Sequence, residues 1–176
     1  MSRQNSISFK MMSFVHETLY GLFRDPYKAL EAAGLEPGQK VLEVGCGPGF
    51  FTIPAARVVG EEGSITALDV NLLAVKHVRQ KVEEQGLTNV EVLLANVTQA
   101  DLPPQSFDLI FLFGLARPIG DVEAIFGAAH RLLKPGGILA IEGRLRPPDR
   151  LFQSIKRQGR IAQFRGVGRE IKTTAA

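Results

Sequence analysis

The chain has 176 residues, 45% of them hydrophobic and 22% charged, with a formal net charge of +3. That is ample for one domain with a sizeable core, and the composition is ordinary for a globular protein. The single cysteine, Cys46, excludes a disulfide framework and a cysteine metal cluster, and no metal site is expected. No apolar run approaches the ~18 residues of a membrane-spanning helix, and Lys10, His16 and Glu17 interrupt the N-terminal apolar residues, which argues against a signal peptide. A cytoplasmic location is expected.

Charge is uneven along the chain. From Arg144 to Ala176 there are nine Lys or Arg and two acids, so this stretch carries +7 and the first 143 residues carry −4. Such asymmetry suits an anionic contact, or simply a solvated basic face; nucleic acid is not the expected partner.

In chain order, Ile7, Met11, Phe14, Val15, Leu19 and Leu22 recur at helical spacing, so an amphipathic helix is expected over residues 6–23. Asp25-Pro26 opens a second helix, Tyr27–Ala33, which Gly34 ends. Strands are then expected at Lys40–Val44, Ser64–Asp69, Val90–Ala95, Phe107–Phe113 and Ile138–Gly143, with helices at Phe50–Val59, Leu72–Gln85 and Asp121–Leu133. Gly60, Gly86 and the Pro135-Gly136-Gly137 turn punctuate the helices. The tail reads as a helix near Asp149–Gln158 followed by a hairpin of strands Ile161–Gly166 and Arg169–Thr174. The fold class is α/β: a Rossmann-like, doubly wound, mostly parallel seven-stranded sheet with helices on both faces and a C-terminal antiparallel hairpin. The chain is read as one domain, comprising an N-terminal helical cap (1–37), a ligand-binding core (38–143) and a basic C-terminal helix and hairpin (144–176).

The most informative stretch is Val41-Leu42-Glu43-Val44-Gly45-Cys46-Gly47-Pro48-Gly49-Phe50. A buried strand runs into glycines that permit a tight turn and close approach of a ligand to main-chain N–H groups. A dinucleotide loop has the spacing G-x-G-x-x-G, whose last position here is Phe50, too large for the helix–strand approach that glycine permits. The E-x-G-C-G-x-G form resembles motif I of class I S-adenosylmethionine-dependent methyltransferases, and the run from Val41 to about Gly143 resembles that family, nearest to the small ubiquinone and menaquinone biosynthesis C-methyltransferases. Leu132-Leu133-Lys134-Pro135-Gly136-Gly137 is a second hallmark, whose physics is structural.

The resemblance implies S-adenosyl-L-methionine as cofactor, held by Glu43, Gly45, Cys46, Gly47, Gly49, Phe50, Asp69, Val70, Asn96, Val97 and Phe113. It implies that Glu43 faces the methionine amino group, directly or through water; an ion pair with Lys40 or another base is the other reading. Asp69 lies 24 residues beyond Gly45, near the offset at which an acid meets a ribose diol. It could instead cap the helix at Leu72, although Asn71 is better placed for that. Asn96 stands where the family usually has an aspartate toward adenine, and could alternatively serve only a turn. Cys46 is read as a small residue that fits rather than a reactive thiol.

The implied reaction is direct methyl transfer to an unidentified small-molecule acceptor, for which orientation can suffice without a base; the apolar N-terminal helix, rich in Phe and Met, suggests that the acceptor is apolar. His16 is the candidate base; His77 and His130 are expected to face solvent. Arg117 could orient an anionic acceptor or lie on the surface. The N-terminal helix could cover the site or simply pack on the sheet. Rival readings are an NAD-type oxidoreductase, against which Phe50 and the KPGG turn argue, and a non-catalytic S-adenosylmethionine-binding module that partners another protein. A homodimer is compatible with the chain.

Overall fold

The computed structural model describes residues 25–114 and 121–168. The expected helix 6–23, His16, Arg117 and the strand Arg169–Thr174 lie outside the described residues. Within them the order is α1 (Pro26–Ala33), β1 (Lys40–Val44), α2 (Thr52–Val59), β2 (Ser64–Asp69), α3 (Leu72–Glu84), β3 (Val90–Leu94), β4 (Phe107–Leu112), α4 (Val122–Leu132), β5 (Leu133–Glu142), β6 (Phe152–Gln158) and β7 (Ile161–Gly166).

Capping chemistry sets the helix starts. Asp25 accepts from Tyr27 N and Lys28 N beside Pro26, Asn71 accepts from Leu73 N, and Asp121 accepts from Glu123 N and Ala124 N. Gly34, in the left-handed region at φ 84°, ends α1.

The seven strands run in the order β3-β2-β1-β4-β5-β7-β6. β1 to β5 are parallel, and β7 is antiparallel to both β5 and β6. The order reverses between β1 and β4, and a crevice at such a switch point is where open α/β sheets take their ligands. Side chains alternate across the sheet. On one face Val41, Ile65, Ala67, Leu109 and Phe111 pack against α1, α2 and α3 through Leu30, Ala55, Val75 and Val78. On the other, Leu42, Leu68, Ile110, Leu139 and Ile141 meet Ile125, Phe126, Ala129 and Leu132 of α4. By the same alternation Glu43 and Asp69 both lie on the α2–α3 face, at the carboxyl ends of adjacent strands.

Two expectations are corrected. Residues 152–158 form an edge strand, not part of a helix, and the closing hairpin pairs β6 with β7. Only Phe152 of that strand is buried, so it carries no apolar stripe of either period. Its register is set by the two-residue turn Gly159-Arg160, with Gly159 at φ 58°. The strand expected from Ile138 instead begins at Leu133, which pairs with Phe107 before a break in register to the Leu109–Ile138 pair. The Lys134-Pro135-Gly136-Gly137 segment is therefore an irregularity inside the strand rather than a turn before it. Lys134 Nζ donates to Asp108 Oδ1 at 2.7 Å, while Lys40 N donates to Asp108 Oδ2 at 2.9 Å. One carboxylate thus pins the amino ends of β1, β4 and β5.

Candidate functional site

The glycine loop is strapped to the neighbouring strand by its first two amides. Gly45 N and Cys46 N both donate to Leu68 O, at 2.8 and 2.9 Å, and Gly49 N donates to Cys46 O at 2.9 Å. Gly45, Gly47 and Gly49 have φ values of 81°, 50° and 84°, a region that side-chain-bearing residues rarely adopt. A Cβ on Gly47 would meet no atom of the described residues within 4 Å, so they leave the loop open there. A Cβ on Gly49 would sit 3.1 Å from Val78 Cγ2 of α3, so that glycine serves helix packing. Lys81 Nζ ties the loop to α3 through Pro48 O at 3.1 Å.

Glu43, at the end of β1, is only 2% exposed. Its Oε2 accepts from the Thr52 hydroxyl at 2.5 Å, and no ion pair joins it to Lys40. Burial pushes its carboxyl up to about 8; the Thr52 hydrogen bond pulls the other way and the Asp69 charge adds to the rise. A buried acid with no counter-charge among the described residues is better suited to a cationic partner than to water exclusion alone. Thr52 was not singled out from the sequence. The available signal was a hydroxyl residue opening the helix directly after the loop.

Asp69 closes β2, and its two oxygens reach in different directions. Oδ2 accepts from Gly47 N and Oδ1 from Asn71 N, each at 2.8 Å. The α3 cap is Asn71, as its position suggested. A carboxylate has about four acceptor sites, so Asp69 keeps capacity for further hydroxyl donors. Val70 beside it is 49% exposed, an apolar surface at the same rim.

Asn96 follows β3, and its Oδ1 accepts from Thr98 N at 3.0 Å and Thr98 Oγ1 at 2.9 Å. The backbone donor identifies that atom as oxygen, and the amide side chain thereby closes a turn, leaving its NH₂ as the group available to a ligand. Val97 and Phe113 are buried, and Phe113 stacks edge-on to Phe51 at 5.2 Å and lies 4.9 Å from Phe111. Phe50 meets Phe51 edge-on at 4.9 Å. These rings pack on one another at the carboxyl ends of β1 and β4.

Glu142, at the end of β5, was also missed. Its Oε2 accepts from Gly114 N at 3.0 Å and its Oε1 from Arg160 Nε at 3.1 Å. It couples the segment leaving β4 to the hairpin turn. A Cβ on Gly114, at φ 64°, would meet no atom of the described residues within 4 Å.

The remaining candidates sort by their partners. Cys46 is buried, and burial, followed by the Glu43 and Asp69 charges, pushes its thiol far up, so it is a packed neutral residue and no nucleophile. His130 does not simply face solvent: its Nε2 donates to Val167 O at 2.8 Å and its ring meets Phe152 edge-on at 5.4 Å. His77 is half-buried on α3. A cleft at the opposite end of the sheet is bordered by His130, Arg131 and Lys134, but these contact Val167 O, Leu102 O and Asp108 respectively and serve the fold. No group of three or more His, Cys, Asp or Glu able to hold a metal occurs among the described residues, and none of their helices is long and apolar enough to cross a membrane.

Comparison with known proteins identifies the family and the fold. A family model described as a methyltransferase domain matches residues 35–160. The ubiquinone/menaquinone biosynthesis C-methyltransferase of Shewanella pealeana is 35% identical over 128 residues, covering 72% of this chain and 51% of that protein. The demethylmenaquinone methyltransferase of Geobacillus stearothermophilus is 39% identical over 105 residues, covering 59% of this chain and 44% of that protein. The chain thus spans about half the length of the curated relatives it matches. A crystal structure of a SAM-dependent methyltransferase from Aquifex aeolicus superposes with a TM-score of 0.70 at 25% identity, covering 92% of this chain and 97% of that one. Fold, loop and matched residues together make this chain a member of the methyltransferase-domain family.

Proposed function

We propose that this domain binds S-adenosylmethionine at the carboxyl ends of β1 and β2 and directs its methyl group to a small apolar acceptor. The observation that carries the reading is the placement of two acids on one face of the sheet around an open glycine loop. Glu43 is buried without a counter-charge among the described residues, and Asp69 is held by the amide of Gly47.

The residues present fit that cofactor. Glu43 would hold its ammonium group, and the free acceptor sites of Asp69 would take the ribose hydroxyls. Val70 and Val97 would pack against the adenine, with the Asn96 NH₂ donating to a ring nitrogen. Gly45, Cys46, Gly47, Gly49 and Phe50 would supply the backbone surface, with Phe113 behind them. Bound there, the cofactor supplies an electrophilic methyl on a sulfonium. The chain's own part is to bind, to orient and to exclude water, and no described residue is assigned as a general base.

The relatives are named for ubiquinone and menaquinone biosynthesis and for demethylmenaquinone methylation; the reading adopted for this chain is the broader class of small apolar molecules, met in the cytoplasm. Sedimentation of the purified chain decides between monomer and homodimer. A non-catalytic cofactor-binding module is the second reading, to which the same contacts of Glu43 and Asp69 would belong. One experiment separates the two. Methyl-labelled S-adenosylmethionine is incubated with the protein and a panel of phenols, quinols and hydrophobic amines. The enzyme reading expects label in an organic-extractable product, with S-adenosylhomocysteine formed one for one. Cofactor binding without turnover on any panel member would favour the module.

A further inference from the structure

The surroundings of the Glu43 carboxyl are apolar, neutral or negative. Thr52 Oγ1 of α2 lies 2.5 Å from Oε2. Ala67 of β2 and Phe111 of β4 are its register partners. The charged group that acts on it is the Asp69 carboxylate, and the Cys46 thiol on the loop feels both acids. No salt bridge to a Lys, Arg or His reaches it among the described residues. Thr52 is itself fully buried and opens α2 directly after the glycine loop, so the turn that shapes the loop also fixes the hydroxyl.

Resting on the cofactor reading above, we propose that Thr52 is a positioning residue whose hydroxyl holds the Glu43 carboxyl toward the cofactor's ammonium group, and that binding this ammonium drives a proton from Glu43 into solvent. Without a bound cation, burial holds the Glu43 carboxyl up at about 8, so its neutral form dominates at pH 7. An incoming ammonium brings the positive charge the site lacks and favours the carboxylate. One O–H bond breaks and the proton passes to buffer. The Glu43 contribution to cofactor affinity therefore rises with pH and levels off above about 8, where Glu43 is ionised before binding.

Calorimetry of S-adenosylhomocysteine binding near pH 6.5, in two buffers of different ionisation enthalpy, counts the protons. An α-amino group with a pKa of about 7.7–8.0 is already protonated there, so a released proton comes from the protein. The expected result is about one proton released by the wild-type chain, none with 5′-methylthioadenosine, which lacks the amino-acid group, and none in Glu43→Gln. Thr52→Val should weaken S-adenosylhomocysteine roughly 10- to 100-fold at this pH, and move the rise in affinity to higher pH. Thr52→Ser, which keeps the hydroxyl, should restore both. Thermal unfolding without ligand reports whether Thr52→Val folds, and the proton count in wild type and Glu43→Gln tests the proposal without it. Binding with no proton release, or a folded Thr52→Val with wild-type affinity and pH profile, would overturn the inference and leave the cofactor reading standing. A folded wild-type chain that does not bind S-adenosylhomocysteine would overturn both.

Discussion

The amide of Gly47 donates to the carboxylate of Asp69 at 2.8 Å, so the acid at the end of β2 is also a clasp on the glycine loop leaving β1. Its second oxygen receives Asn71 N, also at 2.8 Å, at the start of α3. Asp69→Asn turns one acceptor into a donor that must face one of those two N–H groups. The expected outcome is a folded protein whose S-adenosylhomocysteine affinity falls about 10- to 100-fold, since hydrogen bonds to a charged group are worth roughly 1.5–3 kcal/mol. Calorimetry of binding and a melting curve check the two halves of that statement.

Glu43 makes stability depend on pH in an unusual direction. Its folded-state value is raised from 4.5 to about 8, so between these values the folded chain binds the extra proton. The contribution is full below about 4.5 and is lost as pH rises toward 8, at up to about 1.4 kcal/mol per pH unit. Glu43→Gln should remove that slope and be more stable than wild type above pH 8. Urea unfolding at a series of pH values measures it.

Asp108 acts in the opposite sense. Burial alone would raise its carboxyl, but hydrogen bonds from Lys134 and from Lys40 N, with the charges of both lysines, hold it below its ordinary 3.8. Its contribution is present above that value and is lost as pH falls through the lower folded one. Asp108→Asn should flatten the acid limb of the stability profile and leave S-adenosylhomocysteine affinity unchanged, because the contact lies at the amino ends of the strands. Acid titration followed by circular dichroism, with binding at neutral pH, tests both parts.

Gly63 carries a purely steric demand. A Cβ there would lie 2.6 Å from Val59 Cβ and 2.7 Å from Gln39 O, the latter a backbone atom with little freedom to move. Gly63→Ala should destabilise the chain by about 1–3 kcal/mol, read as a lowered melting temperature with cofactor affinity retained at 25 °C.

The parallel half of the sheet was legible because β1, β2 and β4 are short apolar runs closed by glycine or asparagine signals, and the caps Asp25, Asn71 and Asp121 mark helix starts. β6 was not, because an edge strand with one buried residue carries no periodic pattern; the clue was Gly159-Arg160, a two-residue turn ahead of the apolar Ile161-Ala162. At the site, Glu43 and Asp69 could be found by their offsets from the glycines. Their partners could not, because Thr52 on Glu43 and Glu142 on Gly114 are contacts that exist only once the strands are aligned. Asn96 shows the converse: its place after β3 was readable, whereas the Thr98 contacts that occupy its oxygen needed the folded turn.

The central claim is that the open loop between the two acids takes S-adenosylmethionine. The most direct measurement compares unfolding of the full chain with S-adenosylhomocysteine, NAD and ATP at equal concentration. The account predicts stabilisation by S-adenosylhomocysteine alone, by about 2.7 kcal/mol at a hundredfold excess over Kd. Stabilisation by NAD in preference, or by none of the three, would contradict it.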